Sequence, residues 1–270
     1  YERVHDPDFV SFYFPSDEYH PDWDAQMENE FRKQLTSAGY EHEIKALFSA
    51  DGEGVFQHPF IEAARSDYDY TECTPQDGWI YGMGIDWNSA GVGTQIKVVG
   101  YDITAKRYKI VDSASVNIDG WTQTAAVRKA RELNRKWKGC SFIYVDDGYG
   151  AMQIEALHEI GMKAPKGSLD KNLLRAKPVN FSAKIEVYDP WKKKKVAKPT
   201  KPFMVNNAVR VFENYLIDIP EDDFMLTRQL EGYVIDHITP SNVPVYAKDS
   251  QYGDHVLDAL MLALMGFTLE

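Results

Sequence analysis

The chain has 270 residues, 44% hydrophobic and 13% aromatic, enough to build one large domain or one domain with an appendage. Its net charge of −11 speaks against nucleic acid as a partner, but the charge is unevenly placed: residues 1–78 hold 18 acids against 5 bases, and residues 79–270 hold 23 against 25. Cys73 and Cys140 are the only cysteines, which excludes a disulfide framework or zinc cluster and suits a reducing, cytosolic setting; no apolar run is long enough to span a bilayer, and no signal peptide is readable at the start.

In chain order, residues 1–78 mix aromatic and acidic residues ("SFYFPSDEYHPDWD") around one helical stretch, "AQMENEFRKQL". They offer no sizeable core of their own and read as an arm or linker ending near "TPQDGW". From Trp79 the pattern changes. "WIYGMGIDW", "TQIKVVGYD" and "RYKIVDSASV" predict three consecutive strands, the first buried. "TQTAAVRKARELNRKW" has helical spacing and stops at Gly139. "SFIYVDD" predicts a fourth, buried strand, "YGAMQIEALHEIG" a helix and "MKAPKG" a short fifth strand, together a mixed α/β layer fold.

Beyond these, "AKIEVYDPWKKKKVAKPTKPFMVNN" gives two weak strand halves around Asp189-Pro190, with six lysines between Lys192 and Lys201, a solvated hairpin or loop. "AVRVFENYLIDIPEDDFMLTRQLEGY" reads as helix, short strand and helix. A second hairpin, "YVIDHITPSNVPVYA", precedes the closing helix "YGDHVLDALMLAL".

Three places carry acids that the fold does not ask for. Asp86 ends a buried run in "GMGIDWNSAG", where the plainer reading is a turn aspartate. Asp146 and Asp147 close the apolar strand "FIYVDD". Successive strand side chains face opposite ways, so only one can share a site with Asp86. Asp146 continues the run and is preferred; Asp147 suits a helix cap. On the closing helix, Asp254, His255 and Asp258 share one side of the first turns. The helix dipole accounts for Asp254. It does not account for Asp258, which sits among Leu257, Ala259 and Leu260 with no Lys or Arg within a turn, so its carboxylate needs a partner. A divalent cation would answer all of these at once, and oxygen ligands with one imidazole suit Mg²⁺ or Mn²⁺ better than zinc.

The glycines of "GIDWNSAGVGT" and "VDDGYG" also resemble the phosphate-binding turns of actin-like ATP-binding proteins, but the duplicated domain of those proteins is not readable here. No G-x-x-x-x-G-K-[ST] pattern occurs.

With these acids placed, residues 79–270 resemble the nuclease domain of tailed-bacteriophage large terminase subunits, within the RNase H-like superfamily. "GIDW" resembles that family's first motif, "YVDDGYG" its V-D-x-x-G-x-G motif, and "DHVLDALMLAL" its final acidic helix, which is also similar to that of RuvC-type Holliday-junction resolvases. "FSAK" is similar to a segment after the fifth strand, and "FSADGEGVFQHPFIEAA" to the stretch joining ATPase and nuclease domains. The resemblance implies an α/β fold: a mixed five-stranded sheet flanked by helices, strands 1–3 antiparallel, 4 and 5 parallel to 1, with extra hairpins. Residues 1–78 would then follow an ATPase domain.

The resemblance further implies a metal-dependent endonuclease that cuts double-stranded DNA during viral genome packaging. Asp86 and Asp146 would be metal ligands, joined by some of Asp254, His255 and Asp258, around two Mg²⁺ or Mn²⁺ ions roughly 4 Å apart. It implies as partners a motor domain, portal and small terminase subunit, and as location the cytoplasm of the infected bacterial host. DNA must reach an acidic centre, so Lys192, Lys193, Lys194, Lys195, Lys198 and Lys201 are candidate phosphate contacts with little sequence specificity, against the plainer reading of a solvated loop. The competing readings are a resolvase-type nuclease, a non-catalytic interaction module and an actin-like ATP-binding module.

Overall fold

In a strand, side chains alternate between faces. In Trp79–Asp86 the alternation puts Tyr81, Met83 and Ile85 on one face and Gly82, Gly84 and Asp86 on the other. What each face meets decides the architecture. The computed structural model describes residues 13–46, 54–88, 92–116, 122–148, 150–189, 193–241 and 243–269.

The chain divides into two units, Tyr1–Glu53 and Gly54–Glu270. The first holds α1 (Ser16–Tyr19), α2 (Ala25–Gln34) and α3 (Ser37–Glu43). Asp24 caps α2 by accepting the Met27 N–H at 2.8 Å, and Thr36 caps α3 by accepting that of Gly39 at 3.0 Å. Tyr40 donates its hydroxyl to Glu28, and its ring lies 4.1 Å from the Arg32 guanidinium.

The second unit runs α4 (His58–Ala64), β1 (Arg65–Ser66), β2 (Trp79–Asp86), β3 (Thr94–Asp102), β4 (Arg107–Val116), α5 (Gln123–Lys136), β5 (Phe142–Asp146), α6 (Ala151–Lys163), a 3-10 helix (Leu169–Arg175), β6 (Ala176–Val179), β7 (Lys184–Asp189), β8 (Lys194–Pro199), α7 (Thr200–Glu213), β9 (Ile217–Pro220), α8 (Phe224–Glu231), β10 (Val234–Ile238), β11 (Pro244–Ala247) and α9 (His255–Leu269). Residues 54–78, grouped with the acidic arm in the sequence reading, supply α4 and β1 to this unit.

One seven-stranded sheet has the order β1-β9-β4-β3-β2-β5-β6. Its middle is the expected five: β2, β3 and β4 are antiparallel neighbours, and β5 and β6 run parallel to β2. Beyond them β9 lies parallel to β4, and β1 parallel to β9. The fifth strand is not "MKAPKG". Helix α6 continues past Gly161 to Lys163, and a Cβ at Gly161 would stand 2.8 Å from Leu174 of the 3-10 helix. That glycine seats a neighbour inside the helix, which covers the start of "MKAPKG", and the strand falls at β6. The two hairpins, β7–β8 and β10–β11, form as expected.

Tyr81, Met83, Ile85, Ile143 and Val145 pack against α5 and α6 through Ala126, Ala130, Leu133, Ile154 and Leu157. On the opposite face, Phe142 and Tyr144 meet α9, with α4, α7 and α8 in the same core. Helix α9 is buried from Val256 to Gly266, and each large apolar side chain so placed contributes about 1.5–3 kcal/mol. It lies directly on β2 because there is no side chain between them: a Cβ on Gly84 would come within 1.9 Å of the Ala259 carbonyl oxygen. Cβ atoms on Gly82 and Gly266 would each come within 2.1 Å of the Phe142 ring. The contact sets the start of α9 beside the end of β2.

Two carboxylates with cationic partners tie the helices down. Lys97 of β3, buried, reaches Asp223 and lies 3.1 Å from the Tyr70 hydroxyl; Asp223 also caps α8 at the Leu226 N–H, 3.2 Å away. Asp170 of the 3-10 helix receives Arg131 and Arg135 of α5 at 2.5–2.9 Å. These guanidinium groups, Arg135 first, hold its carboxyl down at about 2.

Candidate functional site

Asp86 is the last residue of β2 and Asp146 the last of β5, and the parallel register pairs Ile85 with Val145. The two carboxylates therefore leave the sheet as neighbours. Asp146 is on the face of Phe142 and Tyr144, Asp86 on the face of Gly82 and Gly84, so both turn toward α9. Asp147 is exposed, and its N–H donates to the Val179 carbonyl at 3.1 Å. It does not cap α6: the capping position is Gly150, four residues after Asp146, and no side chain serves it.

The start of α9 is fixed by a residue that local sequence did not flag. Gln229 of α8 accepts the Leu257 N–H at 2.9 Å and donates its amide to the Tyr252 carbonyl at 2.7 Å. The Asp254 carbonyl accepts the Asp258 N–H at 2.7 Å, the first turn of the helix. That turn points His255 and Asp258 at the strand ends.

His255 Nδ1 lies 2.9 Å from Asp86 Oδ2 and 2.8 Å from the Asn88 amide nitrogen. A protonated Nδ1 donates to Asp86; a neutral one can accept from Asn88. The Asp86 bond raises the imidazole pKa, against the opposing effect of burial. Asp258 is buried and paired with Lys201 of α7. Burial raises its carboxyl pKa, Lys201 opposes this, and the Asp254 and Asp86 charges add to the rise. Asp254 is paired with Lys248 at 2.8 Å. Burial also raises Asp146; the Gly148 N–H opposes it, and the charges of Asp86 and Asp147 reinforce it.

All five sequence-derived site residues, Asp86, Asp146, Asp254, His255 and Asp258, line one cavity of about 580 Å³. Its other wall is aromatic and basic, with Phe181, Tyr233, Tyr246, Lys201 and Lys248. Among the described residues no three His, Cys, Asp or Glu side chains are gathered tightly enough to hold an ion as they stand. The donor chemistry nevertheless fits a hard divalent cation: four carboxylates and an imidazole surround one space, and the burial that raises Asp146 and Asp258, with neighbouring negative charge added to it, is what such a cation offsets.

The lysines divide. Lys193, Lys194, Lys195 and Lys198 are exposed at the turn and along β8, outside the cavity lining, whereas Lys201 is inside it. Lys192 lies outside the described residues, as does Trp191. Asn88, Lys248 and Tyr233 had no place in the sequence reading. Asn88 carried a usable signal, since it stands two positions beyond Asp86 and shares its face in an extended chain; the other two reach the cavity only through tertiary structure.

No family model and no curated protein sequence matches the chain. Solved structures do. The large terminase nuclease of thermophilic phage G20c with bound magnesium is 16% identical, with 80% of this chain and 98% of that one covered and a TM-score of 0.56. The large terminase of thermophilic bacteriophage D6E is 14% identical, with 100% and 57% covered and a TM-score of 0.61. The same D6E protein in complex with ATP-gamma-S gives 14%, 97%, 57% and 0.56.

The fold is that of the phage large terminase nucleases. It is an RNase H-like α/β fold, and Asp86, Asp146 and the start of α9 stand at one end of its central sheet. The chain spans about the whole of the G20c terminase nuclease, and 57% of the D6E terminase.

Proposed function

We propose that this chain is the nuclease part of a phage large terminase, a Mg²⁺- or Mn²⁺-dependent endonuclease that cuts double-stranded DNA during genome packaging. The observation that carries the reading is the meeting of Asp86, Asp146, His255 and Asp258 in one cavity, on a fold shared with a terminase nuclease that binds magnesium. Asp86 and Asp146 would hold the metal, with His255 and Asp258 beside them. Divalent ions bound there supply the positive charge that activates a water and steadies the departing 3′ oxygen.

The rest of the work belongs to the protein. Gly148 orients the Asp146 carboxylate through its N–H, and His255 fixes the Asp86 carboxylate through Nδ1. The rigid stack of β2 against α9 keeps both in place without reorganisation as charge develops. The exposed lysines of β8 and its turn would meet phosphates of the incoming duplex, giving binding that weakens steeply with salt and reads little sequence. Residues 1–53 would lead from an ATPase motor domain, by the precedent of the D6E protein's length and nucleotide complex. Portal and small terminase subunit would complete the assembly in the infected cell's cytoplasm. Among the described residues no helix is long and apolar enough to cross a membrane.

The test is plasmid incubated with EDTA, Mg²⁺ or Mn²⁺. Nicking and linearisation with metal, lost by a factor of about 100 or more in folded Asp86→Ala and Asp146→Ala, supports the reading. A strong preference for four-way junctions over linear duplex would instead indicate a resolvase-type enzyme. The pairs Lys201–Asp258 and Lys248–Asp254 favour a second reading, in which the acids are neutralised internally and the chain is a non-catalytic interaction module. Absence of cleavage with every ion would support it.

A further inference from the structure

One buried hydroxyl in the cavity is left without a partner. Lys201, Lys248 and His255 each already face a carboxylate, those of Asp258, Asp254 and Asp86 in turn. Tyr233 does not. It is 1% exposed, lines the same cavity, and its hydroxyl finds no hydrogen-bond partner among the described residues. Trp87 and Gln153 also carry a buried polar atom without a partner, but both stand outside the cavity lining.

The Tyr233 ring is held where it is. It stacks on Tyr246 of β11, with centroids 5.4 Å and planes 17° apart, and lies 6.3 Å from the ring of Phe56. The Tyr233 carbonyl accepts the Val55 N–H at 2.9 Å, which fixes the backbone between α8 and β10. Burial raises the phenol pKa and the charges of Asp258 and Asp254 add to the rise, so at neutral pH the group is an O–H donor. A buried donor without an acceptor disfavours folding, and such groups are few in native proteins. A donor fixed in advance of its acceptor is what a binding site for an oxyanion requires.

We propose that the Tyr233 hydroxyl is a substrate contact, donating a hydrogen bond to an unbridged phosphate oxygen of the DNA strand held in the cavity. A phosphodiester has two such oxygens. The acidic side of the cavity would serve one through bound divalent ions, and Tyr233 on the aromatic wall would serve the other. Being neutral, the hydroxyl does so without a further positive charge beside Lys201, whose ammonium lies 5.8 Å from the centre of the Tyr233 ring. The inference rests on the reading of the chain as a nuclease and adds a phosphate contact that is not a lysine.

Tyr233→Phe removes the hydroxyl and keeps the ring. Urea midpoints without DNA, and single-turnover cleavage of linear duplex with Mn²⁺, are compared for the whole parent chain and the variant. The midpoint should equal or exceed the parent's, because the free protein loses no hydrogen bond. Cleavage should slow by about tenfold or more, as expected for losing a hydrogen bond to a charged oxygen. A smaller loss of rate, or a midpoint below the parent's, overturns the contact and leaves the nuclease reading standing. Absence of cleavage by the parent with any divalent ion overturns the nuclease reading itself, and the contact with it.

Discussion

His255 Nδ1 and Asp86 Oδ2, 2.9 Å apart, join the first residue of α9 to the last residue of β2. The bond raises the imidazole pKa above its ordinary value of 6.5. A group whose pKa is raised by folding stabilises the fold fully below its unfolded pKa and loses that contribution as pH rises through the folded value. The ion-free protein should therefore lose part of its stability as pH climbs above 6.5. Asp86→Asn should move the NMR titration midpoint of His255 downward, because the largest effect opposing burial is then gone and the weaker one of the Asp254 charge remains. A midpoint that stays where it was would mean that the bond does not set the imidazole.

Gly84→Ala tests the seat of α9. The added methyl would stand 1.9 Å from a backbone carbonyl oxygen, which cannot rotate away as a side chain could. Overpacking of this kind costs about 1–3 kcal/mol, and the upper end is expected here. Denaturant midpoints measure it, and an unchanged midpoint would show that the helix has room to lift.

Lys97→Met should cost about 3–5 kcal/mol, since Asp223 would be left buried without its cation. Lys97→Met with Asp223→Asn should recover much of the loss, because the neutral amide can still accept the Leu226 N–H and cap α8. Thermal melts of the single and double variants decide; a double variant no better than the single would place the cost elsewhere.

Asp170 should make itself felt in acid. Its carboxyl is held at about 2, below the ordinary 3.8, so its contribution is present above 3.8 and is lost as pH falls toward 2. Asp170→Asn should lower stability at neutral pH by about 2 kcal/mol, a modest figure because both arginines are partly in water. It should also flatten the loss of stability between pH 4 and 2, read by denaturation at each pH; an equally steep loss would assign the acid sensitivity to other carboxylates.

Periodicity made the central strands, α5, α6, both hairpins and the closing helix legible, because burial on one or both faces leaves its mark on neighbouring residues. Alternation also put Asp146, and not Asp147, on the face of Phe142 and Tyr144. What escaped was long-range. Asp258 was read as a carboxylate with no partner within a turn, and Lys201, 57 positions away, is that partner. Gln229 holds the start of α9 from 28 positions away. Lys201 was grouped with the lysines of the hairpin because it follows them in the chain, yet it enters the cavity and Lys193, Lys194, Lys195 and Lys198 do not. β6 was missed for a related reason: a glycine's use as packing room is invisible without the residue that fills it.

The ring of Phe142 fills the room of two absent side chains, one on β2 at Gly82 and one on α9 at Gly266. One residue thereby sets an upper size limit at two positions 184 apart in the chain. A chain of this architecture with a bulkier residue at either glycine must shrink at 142, so these three sites are expected to vary as a trio, with only one of them large at a time.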